Sequence, residues 1–300
     1  MCVEVPEVRV GEPVRCGGLA VIPLYPERSL FPEDTVDYLL SDEADGCSVR
    51  EISKTGVVGQ VVVQNIGDHP VLFVEGDILI GAKQNRAVRS SILVGAGSRV
   101  VMPVCCVERK RWTLSSPKLT TGSYSPPSLR YLLKRGGNGT SIGGFSCQES
   151  VWRRIAAKHR ATGTSSPQEN LFDMLDVHRE RVEDLRGGLA CPEGAAGIAI
   201  TVNGKVVLAD IFDKCSTLEK LWPRLVQGLA LDALEHGETA CQADITSLSV
   251  EPYKRMLWRR VESFGLGETY RANGGDGTLA TALLLEGTPI HVTMSMPTGG

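Results

Sequence analysis

Residues 71–112 read VLFVEGDILIGAKQNRAVRSSILVGAGSRVVMPVCCVERKRW. Three extended apolar runs stand out in this stretch: Pro70 to Glu75 at its start, then Ala87 to Val94, then Arg99 to Glu108. Gly76, Gly81 and the turn Gly95-Ala96-Gly97-Ser98 separate them. Short β-branched runs about ten residues apart, with no long helical pattern between them, favour an antiparallel sandwich or barrel over a doubly wound sheet. A sandwich-like arrangement is expected for this part of the chain.

Upstream, Leu19 to Leu24, Cys47 to Ile52 and Val57 to Val63 read as further strands, and Phe31 to Leu40 has the spacing of a short helix opening at Pro32. Downstream the composition changes. Residues 113–146 are rich in Ser, Thr, Gly and Pro, with one short apolar helix candidate at Leu129 to Leu133 and a glycine run at Gly136-Gly137-Asn138-Gly139. The nearby Arg130, Lys134 and Arg135 are candidates for touching phosphate, although no phosphate-loop motif accompanies them.

Two helices are expected next. One spans Cys147 to His159 behind a Ser146/Glu149 capping box, and one runs from Ser166-Pro167 to about Arg186, with His159 and His178 facing solvent. Asn203-Gly204 between β-branched runs predicts a hairpin. Ser216 to Glu235 reads as a helix in which Pro223 removes a backbone bond at about 3 kcal/mol, so a kink or restart is expected there. A helix near Pro252 to Phe264 and strands at Leu279 to Leu285 and Ile290 to Met296 close the chain.

The expected fold is therefore α+β: an N-terminal antiparallel β-sandwich-like region (1–125), a loop and helical middle segment (126–190), and a C-terminal antiparallel sheet with packed helices (191–300). At 300 residues and a net charge of -3, the chain has room for a large core and no general attraction to polyanions, which disfavours nucleic acid as a partner. No apolar run reaches the roughly 18 residues of a membrane span, and no signal-peptide pattern opens the chain. A cytoplasmic location without membrane association is expected by default. The 9 cysteines are odd in number and lack a C-x-x-C pair, so reduced buried thiols are expected, Cys106 among them. The 5 histidines show no ligand spacing, so no metal is predicted.

The chemistry concentrates in the opening stretch. Lys83 and Arg86 are suited to anionic oxygens, Gln84 and Asn85 to sugar or amide groups, Arg111 to a carboxylate or phosphate, and Trp112 to stacking. Glu75 and Glu108 are the catalytic candidates, as general acid or base. The same residues also suit a buried ion-pair and amide network tying two strand connections together, which is the competing expectation.

Several runs carry a family resemblance: Glu75-Gly76, Gly81-Ala82-Lys83-Gln84-Asn85-Arg86, Ser91-Ile92-Leu93-Val94, Ala96-Gly97-Ser98, Cys106-Val107-Glu108 and Arg111-Trp112. Gln148 with Val151-Trp152, the Asn203-Gly204 hairpin leading to Phe212, and Leu221-Trp222 with Leu225 extend it. In these the chain resembles the ARG and Rhodanese-Phosphatase-superfamily-associated Protein domain family. Lys110, where a glycine is expected, and Pro223 depart from the pattern. The resemblance adds Gln148 to the ligand-binding set and implies a role near ADP-ribose, NAD or phosphoester metabolism. The expected function is binding of a nucleotide-derived or ADP-ribose-like anionic ligand, with hydrolysis left open. The alternative is a non-catalytic sensing or protein-interaction module with a structural polar network. The sequence identifies no cofactor and fixes no oligomeric state.

Overall fold

Asn203 and Gly204 take positive φ, 49° and 78°, the backbone a two-residue type I′ turn requires, and they join the two strands around which the largest sheet is built. The computed structural model describes residues 3–16, 18–27, 37–135, 144–236 and 255–297. Its first strands are β1 (Val8–Val10), β2 (Val14–Cys16), β3 (Leu19–Pro26), β4 (Leu39–Leu40), β5 (Cys47–Glu51), β6 (Gln60–Asn65), β7 (Val71–Phe73), β8 (Asp77–Gly81), β9 (Arg86–Val88), β10 (Ile92–Val94), β11 (Arg99–Cys106) and β12 (Leu119–Tyr124). Helices α1 (Pro127–Arg135), α2 (Gly144–Ala161), α3 (Asp173–Val177) and α4 (Arg179–Gly188) follow. The hairpin β13 (Gly197–Val202) and β14 (Lys205–Phe212), helix α5 (Cys215–His236), and strands β15 (Arg259–Val261), β16 (Glu268–Asn273), β17 (Leu279–Leu285) and β18 (Thr288–Ser295) complete the chain.

Nine strands form the larger sheet, in the order β1-β3-β13-β14-β18-β17-β16-β15 with β2 also on β3. The first strands therefore share a sheet with the last, through the pairing of Val21 with Ile200 and its neighbours. Period-two alternation splits the sheet between two cores. Ile198, Ile200, Leu208 and Phe212 pack under α5, and Ala199, Ala209, Ile211, Val292 and Met294 pack on the other face with Val3, Val5, Ile22 and Leu24.

The region expected to be sandwich-like is a closed six-stranded barrel, ordered β11-β6-β5-β12-β8-β9. Its core is Val49, Val61, Val63, Leu79, Val88, Met102, Val104 and Leu119. The strand that closes it, β12, has the sequence LTTGSY and pairs with both β5 and β8. Its polar residues resemble a loop, yet closure supplies partners for what would otherwise be exposed sheet edges. A three-stranded sheet, β10-β7-β4, stands beside the barrel. Ala87 to Val94 thus serves two sheets.

Four local expectations change. The helix expected from Ser166 to Arg186 begins only at Asp173, because Asn170 bridges to Glu108 and its side chain donates to Asp173 Oδ1 at 2.7 Å, and it is interrupted between α3 and α4 at His178, whose φ of -107° and ψ of 30° leave the helical range. His159 is buried, held by Thr164 Oγ1 at 2.7 Å and the Asn170 carbonyl at 3.0 Å. α5 runs through Pro223 without a restart, because Pro223 lies on the exposed side, where the freed carbonyl meets water. The described part of the span from 252 to 264 contains strand β15, recruited by β16. Residues 28–36, most of the helix expected at Phe31 to Leu40, lie outside the described residues, as do Gly136-Gly137-Asn138-Gly139 and residues 252–254; Leu39–Leu40 is extended.

Candidate functional site

Cross-strand register builds a polar row across the larger sheet. Asp210 of β14 stands opposite Thr293 of β18, Thr293 opposite Thr281 of β17, Thr281 opposite Arg271 of β16, and Arg271 opposite Arg259 of β15. Residues paired in this way point to the same face. Helix α1 lies against β14, β17 and β18 and lowers two cations onto the row.

Arg130 is fully buried and uses all five of its N–H donors. Nη1 donates to Asp210 Oδ2 and Tyr124 Oη, and Nη2 to Asp210 Oδ1 and Thr293 Oγ1, each at 2.9 Å; Nε donates to Glu75 Oε1 at 3.1 Å. Lys134 donates to Glu75 Oε1, to Thr293 Oγ1 at 3.1 Å and to Ser295 Oγ at 2.9 Å. Glu75 Oε2 accepts from Thr281 Oγ1 at 2.9 Å. Gly76 makes room for this: its φ is +96°, and a Cβ there would stand 2.6 Å from Arg130 Cδ.

Burial raises the Glu75 and Asp210 carboxyls, but the cations outweigh it. Lys134 and Arg130 hold Glu75 below its ordinary value, and Arg130 and His291 hold Asp210 well below its own. Burial brings the Lys134 ammonium down to about 8 against the pull of Glu75.

His291 extends the network. Its Nε2 lies 3.3 Å from Asp210 Oδ1 and its Nδ1 2.6 Å from Ser91 Oγ, which also accepts the Glu75 N–H at 2.9 Å. The imidazole stacks on Phe212 with centroids 4.5 Å apart. Ser, His and Asp in this connectivity are the parts of an acyl-transfer triad. Here they lack room for a substrate: Ser91 is 7% exposed and His291 1%, and the space beside them admits no water-sized group. Asp210 is also committed to Arg130. The relay is framework.

At its β15 end the row opens. A cleft of about 390 Å³ is lined, among the described residues, by Lys134, Arg135, Leu257, Arg259, Val261, Arg271, Ala272, Asn273 and Leu279. No carboxylate is among them. Glu75 and Asp210 are matched by Arg130 and Lys134, which leaves Arg135, Arg259 and Arg271 without an ion-pair partner among the described residues. Arg271 is the most withdrawn of the three, and its Nε and Nη2 are buried with no hydrogen-bond partner. Burial lowers its guanidinium below the ordinary value, and Arg89 adds to this against the pull of Glu75.

The sequence between Gly81 and Trp112 builds a second, separate network on the barrel. Arg111 holds Glu108 with two bonds of 2.7 Å, Nε to Oε1 and Nη2 to Oε2. It also donates to the carbonyls of Gly81, Ala82 and Thr113 and to Asn85 Oδ1. Asn85 donates its N–H to Glu108 Oε2 at 3.1 Å and its amide to Asn170 Oδ1 at 3.2 Å. Gln84 donates to the Arg109 carbonyl at 3.2 Å and accepts from Arg86 at 2.7 Å.

Arg86 is buried, donates to Cys106 Sγ, pairs with Glu51 at 3.5 Å and lies 5.4 Å from the Trp112 ring centre, with Lys83 Nζ at 5.5 Å from the same ring. Its Nε and Nη2 are buried with no hydrogen-bond partner among the described residues, although Nη2 has the Glu51 ion pair. Gln148 accepts the Cys106 N–H and donates to the Cys106 carbonyl, both at 2.8 Å. Burial pushes the Cys106 thiol up to about 12. Glu108, Arg111, Asn85, Gln84, Arg86, Lys83 and Trp112 are thus brought together, with Gln148 adjoining through Cys106. Glu75 belongs to the α1 network, and no hydrogen bond or ion pair joins it to Glu108.

A model of the ARG and Rhodanese-Phosphatase-superfamily-associated Protein domain, ARPP-1, matches residues 7–295. The chain belongs to this family. No curated protein and no solved structure matches it. The ARPP-1 match runs from the residue before β1 to the last residue of β18, so one family domain spans the barrel and the larger sheet.

Within the ARPP-1 domain, sequence reasoning singled out Arg130, Lys134 and Arg135 only as basic residues near glycines, and it missed Asp210, Thr281, Thr293, His291, Arg259 and Arg271. The available signal was alternation: Asp210 and Thr293 interrupt apolar strands at positions whose neighbours on either side are buried. Among the described residues no group of three His, Cys, Asp or Glu side chains is suited to a metal. No helix among them is long and apolar enough to cross a membrane.

Proposed function

We propose that this ARPP-1 domain binds a small phosphate-bearing ligand, of the nucleotide or ADP-ribose class, in the cleft between the end of α1 and strands β15 and β16. The observation that carries this reading is Arg271, a largely withdrawn guanidinium whose Nε and Nη2 have no acceptor and no ion-pair partner among the described residues, in a cleft whose other described charges are Lys134, Arg135 and Arg259. A guanidinium in this state is destabilising until an oxyanion reaches it, and Arg is suited to bidentate phosphate contacts. The family's association with ADP-ribosylglycohydrolase-like and phosphatase-like proteins, as its name implies, points to the same ligand class.

Binding without turnover is the form of function that the two carboxylates support. Glu75 is held ionised by two cations in a buried site, and Glu108 is clamped by Arg111. Neither is free to shuttle a proton. The Lys83–Arg86 turn, whose polar groups are largely bonded to one another, serves as framework for the barrel rim.

A thermal-shift panel of ADP-ribose, NAD, ADP and pyrophosphate tests the proposal, with Arg271→Gln and Lys83→Ala as the paired variants. A rise in melting temperature that Arg271→Gln removes and Lys83→Ala preserves supports it. The opposite pattern would return the site to the Lys83–Arg86 turn. Product analysis of the same mixtures is expected to show unchanged ligand.

A further inference from the structure

Arg271 of β16 and Arg259 of β15 stand directly opposite each other in the register of the larger sheet. Residues paired in this way share a face with their Cβ atoms about 5 Å apart, and two like charges there repel. A carboxylate beside them would offset the repulsion, but none is among the described residues lining the cleft. Glu75, whose charge acts on Arg271, is already shared by Arg130 and Lys134.

The two Arg271 nitrogens without an acceptor among the described residues are Nε and Nη2. Their N–H groups lie side by side on one edge of the planar guanidinium, the fork that takes two oxygens of a single anion. Arg111 uses the same edge on Glu108, Nε to Oε1 and Nη2 to Oε2, both at 2.7 Å. Arg86 also leaves these two atoms without a hydrogen bond, but Glu51 stands 3.5 Å from its Nη2. On Arg271 no described residue takes any part of the fork.

We infer that the anion held in this cleft is a terminal phosphate, with two oxygens on the Arg271 fork and the third turned to Arg259; this rests on the reading of the cleft as an anion site. A carboxylate has two oxygens and one charge, so the fork would use it up and leave Arg259 unanswered. In an internal diphosphate each phosphorus likewise offers two free oxygens and one charge, and the second charge sits on a phosphorus that the fork does not hold. A terminal phosphate offers three oxygens and close to two charges near neutral pH, which matches the two opposed guanidiniums.

Lys134 adds charge to the cleft but no free donor, since its ammonium is bonded to Glu75, Thr293 and Ser295. No aromatic side chain is among the described lining residues, so none of them stacks on a base, and the phosphate end carries the recognition. The ligand class narrows to a nucleotide or sugar phosphate with a free phosphate end.

ADP and ADP-ribose make the comparison, because they share adenosine and both phosphates and differ in the ribose that caps the second. Titration calorimetry in magnesium-free buffer is expected to show ADP binding the wild-type protein at least tenfold more tightly than ADP-ribose. Arg259, exposed on the edge strand, can be replaced at an unchanged urea-unfolding midpoint. Arg259→Gln should bring ADP to the level of ADP-ribose, Arg259→Lys should keep most of the preference, and Arg271→Gln should weaken both ligands at least tenfold. Equal affinity for the two ligands, lost in Arg271→Gln, would overturn the terminal phosphate and leave the anion site standing. A preference for ADP that survives Arg259→Gln would also overturn it, and binding of neither ligand to the wild type would overturn the anion site itself.

Discussion

Arg130 and Asp210 meet through two parallel hydrogen bonds of 2.9 Å, with both side chains fully buried. The pair ties α1 to the centre of the larger sheet, and Glu75 at 3.1 Å ties the same guanidinium to the loop between β7 and β8. One side chain thus holds three parts of the chain together. Truncating Arg130 leaves Asp210 buried with only the His291 contact at 3.3 Å, so Arg130→Met is expected to lower unfolding free energy by about 3–5 kcal/mol. The double variant Arg130→Met/Asp210→Leu should recover a large part of that loss. A double-mutant cycle by urea denaturation measures both, and strictly additive losses would contradict the coupling.

Gly76 is the position on which the Arg130 placement depends. Gly76→Ala combines a left-handed backbone with a Cβ 2.6 Å from Arg130 Cδ, and should cost about 2–4 kcal/mol. By contrast Gly187, an exposed glycine whose added Cβ meets nothing within 4 Å and whose φ is not positive, should tolerate alanine. Denaturation midpoints of the two variants decide, and equal stability would show that the Gly76 turn is not constrained by Arg130.

Asp213 gives the domain a measurable pH dependence. Burial raises its carboxyl from 3.8 to about 6, against the opposing effects of Tyr38 and Lys214. An acid with a raised folded-state value binds its proton more tightly in the folded protein, so its contribution is fully present below about pH 4 and is lost as pH rises toward 6. Asp213→Asn is expected to remove that slope and to stabilise the protein at pH 7 by about 1–2 kcal/mol. Stability curves between pH 4 and 7 test this; a variant that keeps the wild-type slope would assign it to another group.

The sequence carried most of the elements whose apolar periodicity is unbroken. The Asn203-Gly204 hairpin was legible because its turn chemistry is local, and α5 because its buried stripe, from Leu218 to Ala233, spans about four turns. Barrel closure was not legible, because LTTGSY lacks apolar alternation and becomes a strand only through partners on β5 and β8. The cluster at Lys83–Arg86 and Glu108–Arg111 was visible as polar density between strands. Density of that kind does not distinguish residues bonded to one another from residues facing a ligand. The polar row from Asp210 to Arg259 was hidden for a different reason: its members are separated by as many as 83 residues in sequence, as Asp210 and Thr293 are, and meet only through strand register. Arg271 looks like any strand arginine until its Nε and Nη2 are seen, in three dimensions, to have no acceptor among the described residues.

Binding of pyrophosphate to the wild-type protein and to Arg271→Met, measured by isothermal titration calorimetry at low salt, tests whether the cleft at Arg271 is an anion site. Saturable binding to the wild type and at least a tenfold loss of affinity in Arg271→Met are expected. Without ligand, Arg271→Met is expected to be no less stable than the wild type, because the substitution removes a guanidinium with two buried nitrogens that have no acceptor among the described residues. Undetectable binding to the wild type, or equal affinity in the two proteins, would contradict the assignment of the cleft as an anion site.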